Sequence, residues 1–359
     1  MWRHVKQRLL DRWLALLNQS LMKTTRSQHW LHYYAVLTAV VALLPISMGA
    51  LVTTLGAGMA FLDWPTSDGW FILAYPWLQD FRTQPDKFVE HGHRLSAVLI
   101  GMFTTGLCIW TWRVEPRRWV RAFSAGIFLA VVGQGLLGGF RVIQDSRISA
   151  LVHGQCASLI FSMISLCALV TSQRWSRVVD EPSSSSASGS GLRFVTLAVP
   201  IVLLGQSVIG SLVRHLGMGL DEHLVGAILA TAVTVLAIVA AWRTGHRWLR
   251  SASVGLFTVL LFQLFLGAAA WVTKFGFPPA GYVAVQQAQE QILFRTAHAV
   301  MAMMVLMMSI QLAVRVARLS WLARRGGCVS HPSPTEFSAV STLIGFTGHL
   351  EAFPTGGLR

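Results

Sequence analysis

Apolar residues are gathered into eight long runs separated by short polar segments. The runs are Tyr34 to Ala60, Leu95 to Trp112, Val120 to Phe140, Ala150 to Ser172, Leu192 to Val213, His223 to Trp242, Ser251 to Thr273 and Phe294 to Val314. Most approach the ~20 residues that carry a helix across the hydrocarbon core of a bilayer. Lipid offers the backbone no hydrogen-bond partners, so a crossing segment bonds internally as a helix or closes into a barrel. Runs this long and this uniformly apolar lack the alternation of barrel strands. The pattern predicts an all-α integral membrane protein with eight transmembrane helices.

Composition agrees. Hydrophobic residues make up 53% of the chain and charged residues 12%, against roughly 25% charged in soluble domains, and mean hydropathy is +0.55. The formal charge of +14 would suggest nucleic acid in a soluble protein, but here the basic residues lie between the apolar runs. They describe topology instead, and no nucleic-acid partner is expected. Alternating sides along the chain places 21 Lys and Arg on the side of the two termini and 8 on the other. Positively charged loops stay cytoplasmic, so both termini are expected in the cytoplasm of a multi-pass protein of the cell inner membrane. The first apolar run has no small-residue cleavage site and reads as the targeting signal itself.

The expected organisation is a cytoplasmic segment (1–33), a four-helix bundle (34–173), a cytoplasmic linker (174–191) containing the Ser-rich stretch Pro182 to Gly191, a second four-helix bundle (192–317), and a disordered cytoplasmic tail (318–359). The longest outer loop, Phe61 to Val89, carries Trp64, Pro65, Trp70, Tyr75, Pro76 and Trp77. Such aromatic content suits the membrane interface or a cap over a site. The halves repeat. Odd-numbered spans end on the outer side with small residues and glutamine: Ser47-Met48-Gly49-Ala50, Gly133 to Gly139 around Gln134, Gly205-Gln206-Ser207-Val208-Ile209-Gly210, and Gln263-Leu264-Phe265-Leu266-Gly267. Small residues let helices approach closely and are read here as packing positions.

Even-numbered spans begin on the outer side with a histidine. His93 opens the second, His153 the fourth, His223 the sixth, and His298 lies a turn into the eighth. Ionisable groups inside spans are costly and usually functional. Within a half, the two helices run in the same direction, so their histidines share a depth and can ligate one cofactor between them. That is the arrangement for bis-histidine haem ligation in a helical bundle. Zinc prefers four compact ligands or three with water, and copper remains open for either pair.

Glu90 and His93 stand at i and i+3, and Arg94 is i+4 from Glu90, so all three share a helical face. Glu90 is the candidate catalytic residue, as a proton acceptor or as a charge that stabilises a developing cation. A helix N-terminal charge paired with Arg94 is the competing role. The outer arginines Arg94, Arg141, Arg214 and Arg295 suit propionate carboxylates, and Arg94, Arg141 and Arg295 are the cofactor-binding candidates. His91 points about 160° away from His93 on a helix, at the lip of the site. His4, His29, His32, His246, His331 and His349 fall in cytoplasmic segments, His215 in an outer loop, and Cys108, Cys156, Cys167 and Cys328 read as small residues without a pairing motif.

Together, Glu90-x-x-His93-Arg94, Leu137-Gly138-Gly139-Phe140-Arg141-Val142, Asp63-Trp64-Pro65-Thr66 and the histidines His153, His223 and His298 make the chain resemble the heme A synthase family over roughly Val36 to Ala317. The resemblance implies two four-helix bundles related by pseudo-twofold symmetry. It implies haem b held by His223 and His298, and a haem O/haem A site at His93 and His153 with Glu90 beside it. The implied reaction oxidises a methyl group on the porphyrin edge to a formyl group by successive hydroxylations, supplying haem A for terminal oxidase assembly. It implies haem O as substrate, membrane lipid as its surroundings, haem O synthase and an electron acceptor as partners, and allows a homo-oligomer. Some members carry a cysteine pair in the first outer loop. The Phe61 to Val89 loop has none, so a mechanism that needs that pair does not operate here. The alternatives are a di-haem electron-transfer protein without porphyrin chemistry, and a repeat-built transporter, which would place its polar residues at the bilayer midplane.

Overall fold

The structure is a computed structural model that describes residues 2–178 and 189–326, with side chains described within 27–178 and 189–324. Its principal elements are α1 (Trp2–Leu55), α2 (Asp80–Thr83), α3 (Pro85–Val114), α4 (Arg118–Gln144), α5 (Arg147–Thr171), α6 (Gln173–Arg177), α7 (Ser190–Leu216), α8 (Leu220–Arg243), α9 (Arg247–Phe275) and α10 (Gln289–Gly326). Two-residue strands β1 (Thr66–Ser67) and β2 (Trp70–Phe71) form a small hairpin in the α1–α3 loop. Eight of the helices are long and apolar enough to cross a membrane: α1 from Ser27, α3, α4, α5, α7, α8, α9 and α10. Large apolar side chains such as Leu129, Ile201 and Ile228 are more than 60% exposed. That is the distribution expected of helices facing hydrocarbon. The chain is an all-α, multi-pass membrane protein.

The helix ends differ from the apolar runs for a consistent reason. Hydropathy marks where the chain is apolar, but a helix continues into polar sequence while its hydrogen bonds persist. The second span was expected from Leu95, yet α3 starts at Pro85, where proline suits the first helical turn. Glu90, His91, His93 and Arg94 therefore stand on one continuous helix. The first span ends at Leu55, where Ala60 was expected. Upstream, helix runs from Trp2 through the segment read as separate. The tail was expected from 318, but α10 is helical through Gly326. Most of the Ser-rich linker and the rest of the tail, including Cys328, His331 and His349, lie outside the described residues.

Within the first half, α1 packs on α3, α3 on α4, α4 on α5, and α5 returns to α1; within the second, α7, α8, α9 and α10 close in the same way. The halves meet through α1 with α10, α5 with α10 and α5 with α7. Polar side chains cross this interface. Ser207 Oγ donates to Gln155 Oε1 at 2.7 Å, and Gln155 Nε2 donates to Ser211 Oγ at 2.6 Å. Thr296 Oγ1 lies 3.0 Å from Thr54 Oγ1. Such bonds join helices where apolar contact brings no gain over lipid. At the basic end of the molecule the halves share a core in which Trp175 and Trp248 meet edge to face, 6.1 Å apart, with Arg318 over Trp175 and Arg315 over Trp248.

At that end, the α3–α4 turn is fixed by an ion pair. Arg117 Nε and Nη2 donate to the two oxygens of Glu115 at 2.7 and 2.8 Å, and Nη2 also reaches the Val170 carbonyl. Glu115 is only 4% exposed, so losing one partner strands the other. Glu115→Ala is expected to destabilise the protein by about 1–2 kcal/mol, less than for a fully buried pair because Arg117 is 30% exposed, read as a lowered thermal unfolding midpoint in detergent. An unchanged midpoint would show that the pair is only a surface contact.

Candidate functional site

The four histidines at the heads of the even-numbered spans come together as two pairs. The rings of His93 on α3 and His153 on α5 have centroids 6.3 Å apart with planes at 80°. Those of His223 on α8 and His298 on α10 are also 6.3 Å apart, with planes at 90°. One pair belongs to each half. Among the described residues no cluster of three or more His, Cys, Asp or Glu side chains forms a cage, so each site offers two nitrogens on opposite helices.

The small residues of the odd-numbered spans turn out to face these rings. A Cβ added to Gly49 would lie 2.9 Å from His93 Cε1; the corresponding distances are 3.0 Å for Gly138 and His153, 2.9 Å for Gly210 and His223, and 2.9 Å for Gly267 and His298. Each glycine thus lets a helix backbone lie against the Cε1 edge of an imidazole. The residue four positions earlier then falls beside the same histidine, since i and i+4 share a face. That residue is Pro45, Gln134, Gln206 or Gln263. His93 Nδ1 lies 3.0 Å from the Pro45 carbonyl, and His298 Nδ1 lies 3.2 Å from the Gln263 carbonyl. Gln134 Nε2 donates to the His153 carbonyl at 2.9 Å. Gln206 Nε2 donates to the His223 carbonyl at 2.7 Å and stands 3.0 Å from its Nδ1. A carbonyl that accepts from Nδ1–H fixes the tautomer and leaves the Nε2 lone pair to act as an acceptor, as in metal-ligating histidines; at His298 the Gln263 amide stands 3.4 Å from that Nε2.

Glu90 is 3% exposed and stands on α3 one turn before His93. Its Oε1 accepts from Arg94 Nη2 at 3.0 Å, while Oε2 accepts from the backbone N–H of Ala60 at 2.7 Å and of Phe61 at 3.3 Å. Arg94 Nη1 donates to the carbonyls of Asp63 and Thr66 at 2.9 and 2.6 Å. The pair therefore seats the outer loop on α3. Within that loop, Asp68 and Gly69 have φ of +49° and +78° between the two strands, the signature of a two-residue type I′ hairpin. The Asp-Gly dipeptide could have signalled this turn in the sequence. Asp63 caps the turn from below, accepting from the N–H groups of Asp68 and Gly69 at 3.0 and 2.9 Å. Partial burial pushes the Asp63 carboxyl up, but these backbone hydrogen bonds outweigh it and hold the group below the ordinary aspartate value.

His91 does not join the pairs. It is fully buried under the loop, with Nδ1 3.0 Å from Ser67 Oγ and its ring 4.7 Å from that of Tyr75. Arg141 extends from α4 to the Gly58 carbonyl. Arg214 crosses between the halves to the Ala50 carbonyl and Thr54 Oγ1, and its Nη1 points to the Arg295 carbonyl at 3.4 Å. His215, read as a loop residue, is in the last turn of α7. Near the basic end, His32 Nδ1 lies 2.9 Å from the Ala168 carbonyl and His246 caps α9. Cys108, Cys156 and Cys167 are free thiols.

A family model described as COX15-CtaA, cytochrome oxidase assembly protein, matches residues 78–223, a stretch that holds Glu90, His93, His153 and His223. The chain is similar to this family over that stretch. Proteins named heme A synthase are similar to it. That of Geobacillus kaustophilus is 32% identical over 52% of this chain and 57% of its own length. That of Alkalihalophilus pseudofirmus is 30% identical over 39% of this chain and 46% of its own length. That of Symbiobacterium thermophilum is 27% identical over 58% of this chain and 72% of its own length. The chain thus spans about half the length of the first of the curated relatives it matches.

The Asp63 cap carries a pH dependence. Because the folded pKa is lowered, the stabilisation is complete above the ordinary aspartate range of about 3.9 and fades as pH falls through the folded value. Hydrogen exchange at Asp68 and Gly69, corrected for intrinsic rates, should be flat from pH 7 to that range and rise below it. Asp63→Asn should abolish the rise. Loosening already at pH 5 would contradict the assignment.

Proposed function

We propose that this protein is a heme A synthase, oxidising a methyl group on the edge of haem O to a formyl group by successive hydroxylations. The observation that carries the reading is the pair of matched histidine sites, one per half, each with 6.3 Å between ring centres. A metal held at about 2 Å from each of two facing nitrogens, with roughly 1 Å more from nitrogen to ring centre, needs about 6 Å between centres. The residues present therefore fit an iron between each pair, and the glycine walls let each imidazole sit back against the neighbouring helix. Haem b bound at the second site supplies one-electron redox chemistry.

In this reading His93 and His153 position the substrate porphyrin, and His223 and His298 hold haem b. Exchange of the halves would map the α1–α10 contact onto α7–α5, which supports a pseudo-twofold relation between residues 34–173 and 192–317. Both oxygens of Glu90 are engaged by Arg94 and two backbone N–H groups. Its part is then a fixed negative charge that favours cationic character at the porphyrin edge, a preorganised electrostatic role. Arg141 and Arg295 stand on the helices that carry Gly138 and His298 and meet propionate carboxylates. Arg94 acts through its hold on Glu90 and the loop. Haem O enters from the bilayer, electrons leave through the second site to an acceptor, and both termini face the cytoplasm from the inner membrane. The loop, without cysteines, serves as a cap.

Expressed in a host without its own enzyme, the full chain should yield extractable formyl porphyrin. Glu90→Ala should lower that yield roughly 100-fold, the scale of losing one preorganised electrostatic group, and undiminished yield would remove Glu90 from the mechanism. Gly210→Ala should displace the His223 ring and lower haem b retained on purification about ten-fold, one ligand contact being worth some 1.4 kcal/mol or more. His223→Ala should remove the bis-histidine absorption spectrum of that haem, and an unaltered spectrum would refute the ligand assignment.

A further inference from the structure

The ends of α1 and α7 carry one pattern twice. Gly49-Ala50-Leu51-Val52-Thr53-Thr54-Leu55-Gly56-Ala57-Gly58 and Gly210-Ser211-Leu212-Val213-Arg214-His215-Leu216-Gly217-Met218-Gly219 agree at their glycines, leucines and valine. The backbone treats them as equivalents. Gly49 and Gly210 each back a histidine, and Gly56 and Gly217 follow the last helical residue with φ of +74° and +71°. This register pairs Arg214 with Thr53, so the second half has a cation where the first has a hydroxyl. On α4 and α9 the same comparison, aligned on Gly138 and Gly267, pairs Arg141 with Ala270. Each half thus keeps one such arginine, at a different place.

The two arginines differ in their surroundings. Arg141 shares the first half with Glu90, whose charge reaches it. Arg214 has only neutral partners: the Ala50 carbonyl, Thr54 Oγ1 at 2.9 Å and the Arg295 carbonyl at 3.4 Å. Among the described residues the ion pairs are Lys87 with Asp68, Arg94 with Glu90 and Arg117 with Glu115, and none involves Arg214. The carboxylates at the outer ends of the packed helices, Asp221 and Glu222 on α8 and Glu290 on α10, are exposed, where water and salt screen them. The charge that acts on Arg214 is that of Arg295, of the same sign.

The guanidinium lies at the second site. Arg214 stands one turn beyond Gly210, on the helical face that meets His223. Its contact on α10 is three residues before His298, and its charge acts on that ring. Thr54, which anchors it, also meets Thr296, two residues before His298.

We propose that Arg214 sets the direction of electron transfer between the two sites: its uncancelled positive charge, held by α1 against the second site, raises the reduction potential of an iron porphyrin between His223 and His298. The inference rests on the reading of that site as the haem b site. An iron porphyrin loses one positive charge on reduction, so a neighbouring cation favours the reduced form. The effect is large where protein and lipid replace water. Arg295 has a propionate to meet, whereas the donors of Arg214 are engaged by carbonyls and a hydroxyl, which leave its charge intact. In the first half the Glu90 carboxylate opposes the cations around it. The balance of charge therefore favours the electron at the second site. Because the seat of Arg214 is Ala50 and Thr54, that balance depends on how the first half packs against the second.

The test is a spectroelectrochemical titration of the full-length protein carrying His93→Ala, so that the bis-histidine band reports the second site alone. Arg214→Gln, which keeps a donor and removes the charge, should lower the midpoint potential by about 59 mV, a ten-fold change in a one-electron equilibrium. Thr54→Asp, which sets a carboxylate on the same guanidinium, should lower it in the same direction. Arg214→Lys, which keeps the charge without the planar fork, should stay near the original value. An intact bis-histidine spectrum in each variant reports that the ligands are in place. An unchanged midpoint in Arg214→Gln would overturn the inference. So would an equal fall in Arg214→Lys, since lost geometry rather than lost charge would then be the cause. Should Arg214→Gln not retain haem, Thr54→Asp decides: a lowered midpoint upholds the inference and an unchanged one overturns it. If the parent protein shows no band that His223→Ala abolishes, the haem b reading of the site fails, and the role of Arg214 fails with it.

Discussion

The close approach of helix backbone to imidazole governs this architecture. At four places a glycine on an odd-numbered span lies against the ring of a histidine on an even-numbered one, and any larger residue would push the ring away. The approach has two consequences at once. It brings the carbonyl or amide one turn earlier within reach of the same histidine, at a ring nitrogen of His93, His223 and His298 and at the backbone carbonyl of His153. It also sets how close the helices of each half stand, and with that the gap between paired rings. Helix packing and site geometry are thus one constraint, met four times with different neighbours: a proline carbonyl, a glutamine carbonyl, and two glutamine amides.

Chemistry diverges between the halves where packing does not. Among the described residues, only the first half places a buried carboxylate on a ligand helix, and its loop between α1 and α3 is seated on that helix. These two features are a single structure, because Glu90 and Arg94 spend their hydrogen bonds on the loop backbone. Removing the carboxylate would release both the charge and the cap. The second half is simpler, with a short glycine turn between α7 and α8 and no carboxylate paired to its ligand helix. Under the proposed function, this difference makes the first site the reactive one and the second the relay.

Across the interface between the halves, Gln155, small hydroxyl side chains and one arginine add hydrogen bonds to the apolar core that the halves share. In lipid this is the economical choice, since apolar contact between helices replaces equally apolar contact with acyl chains. Gln155, with Ser207 and Ser211, ties α5 to α7 two residues from His153 and one residue from Gln206, which touches His223. The two sites are mechanically adjacent through this clasp, and Arg214 adds a second link near Gly49 and His298.

The apolar runs by themselves determined eight helices and their approximate places, because a backbone in hydrocarbon has almost no alternative to helix. Histidine spacing relative to those runs likewise determined which four rings share a depth and that they divide two and two. The role of the glycines in backing the rings, the use of Pro45 and Gln263 carbonyls as hydrogen-bond partners, and the departure of His91 into the loop came only from the tertiary structure. Glu90 shows the division most plainly. Its i, i+3 and i+4 relations to His93 and Arg94 were visible in the sequence, but its bonds to Ala60 and Phe61 join residues some thirty positions apart across a loop of no regular period. Periodicity reports which side of a helix a residue occupies. What that side faces depends on how helices distant in the chain are brought together, and that is set by packing.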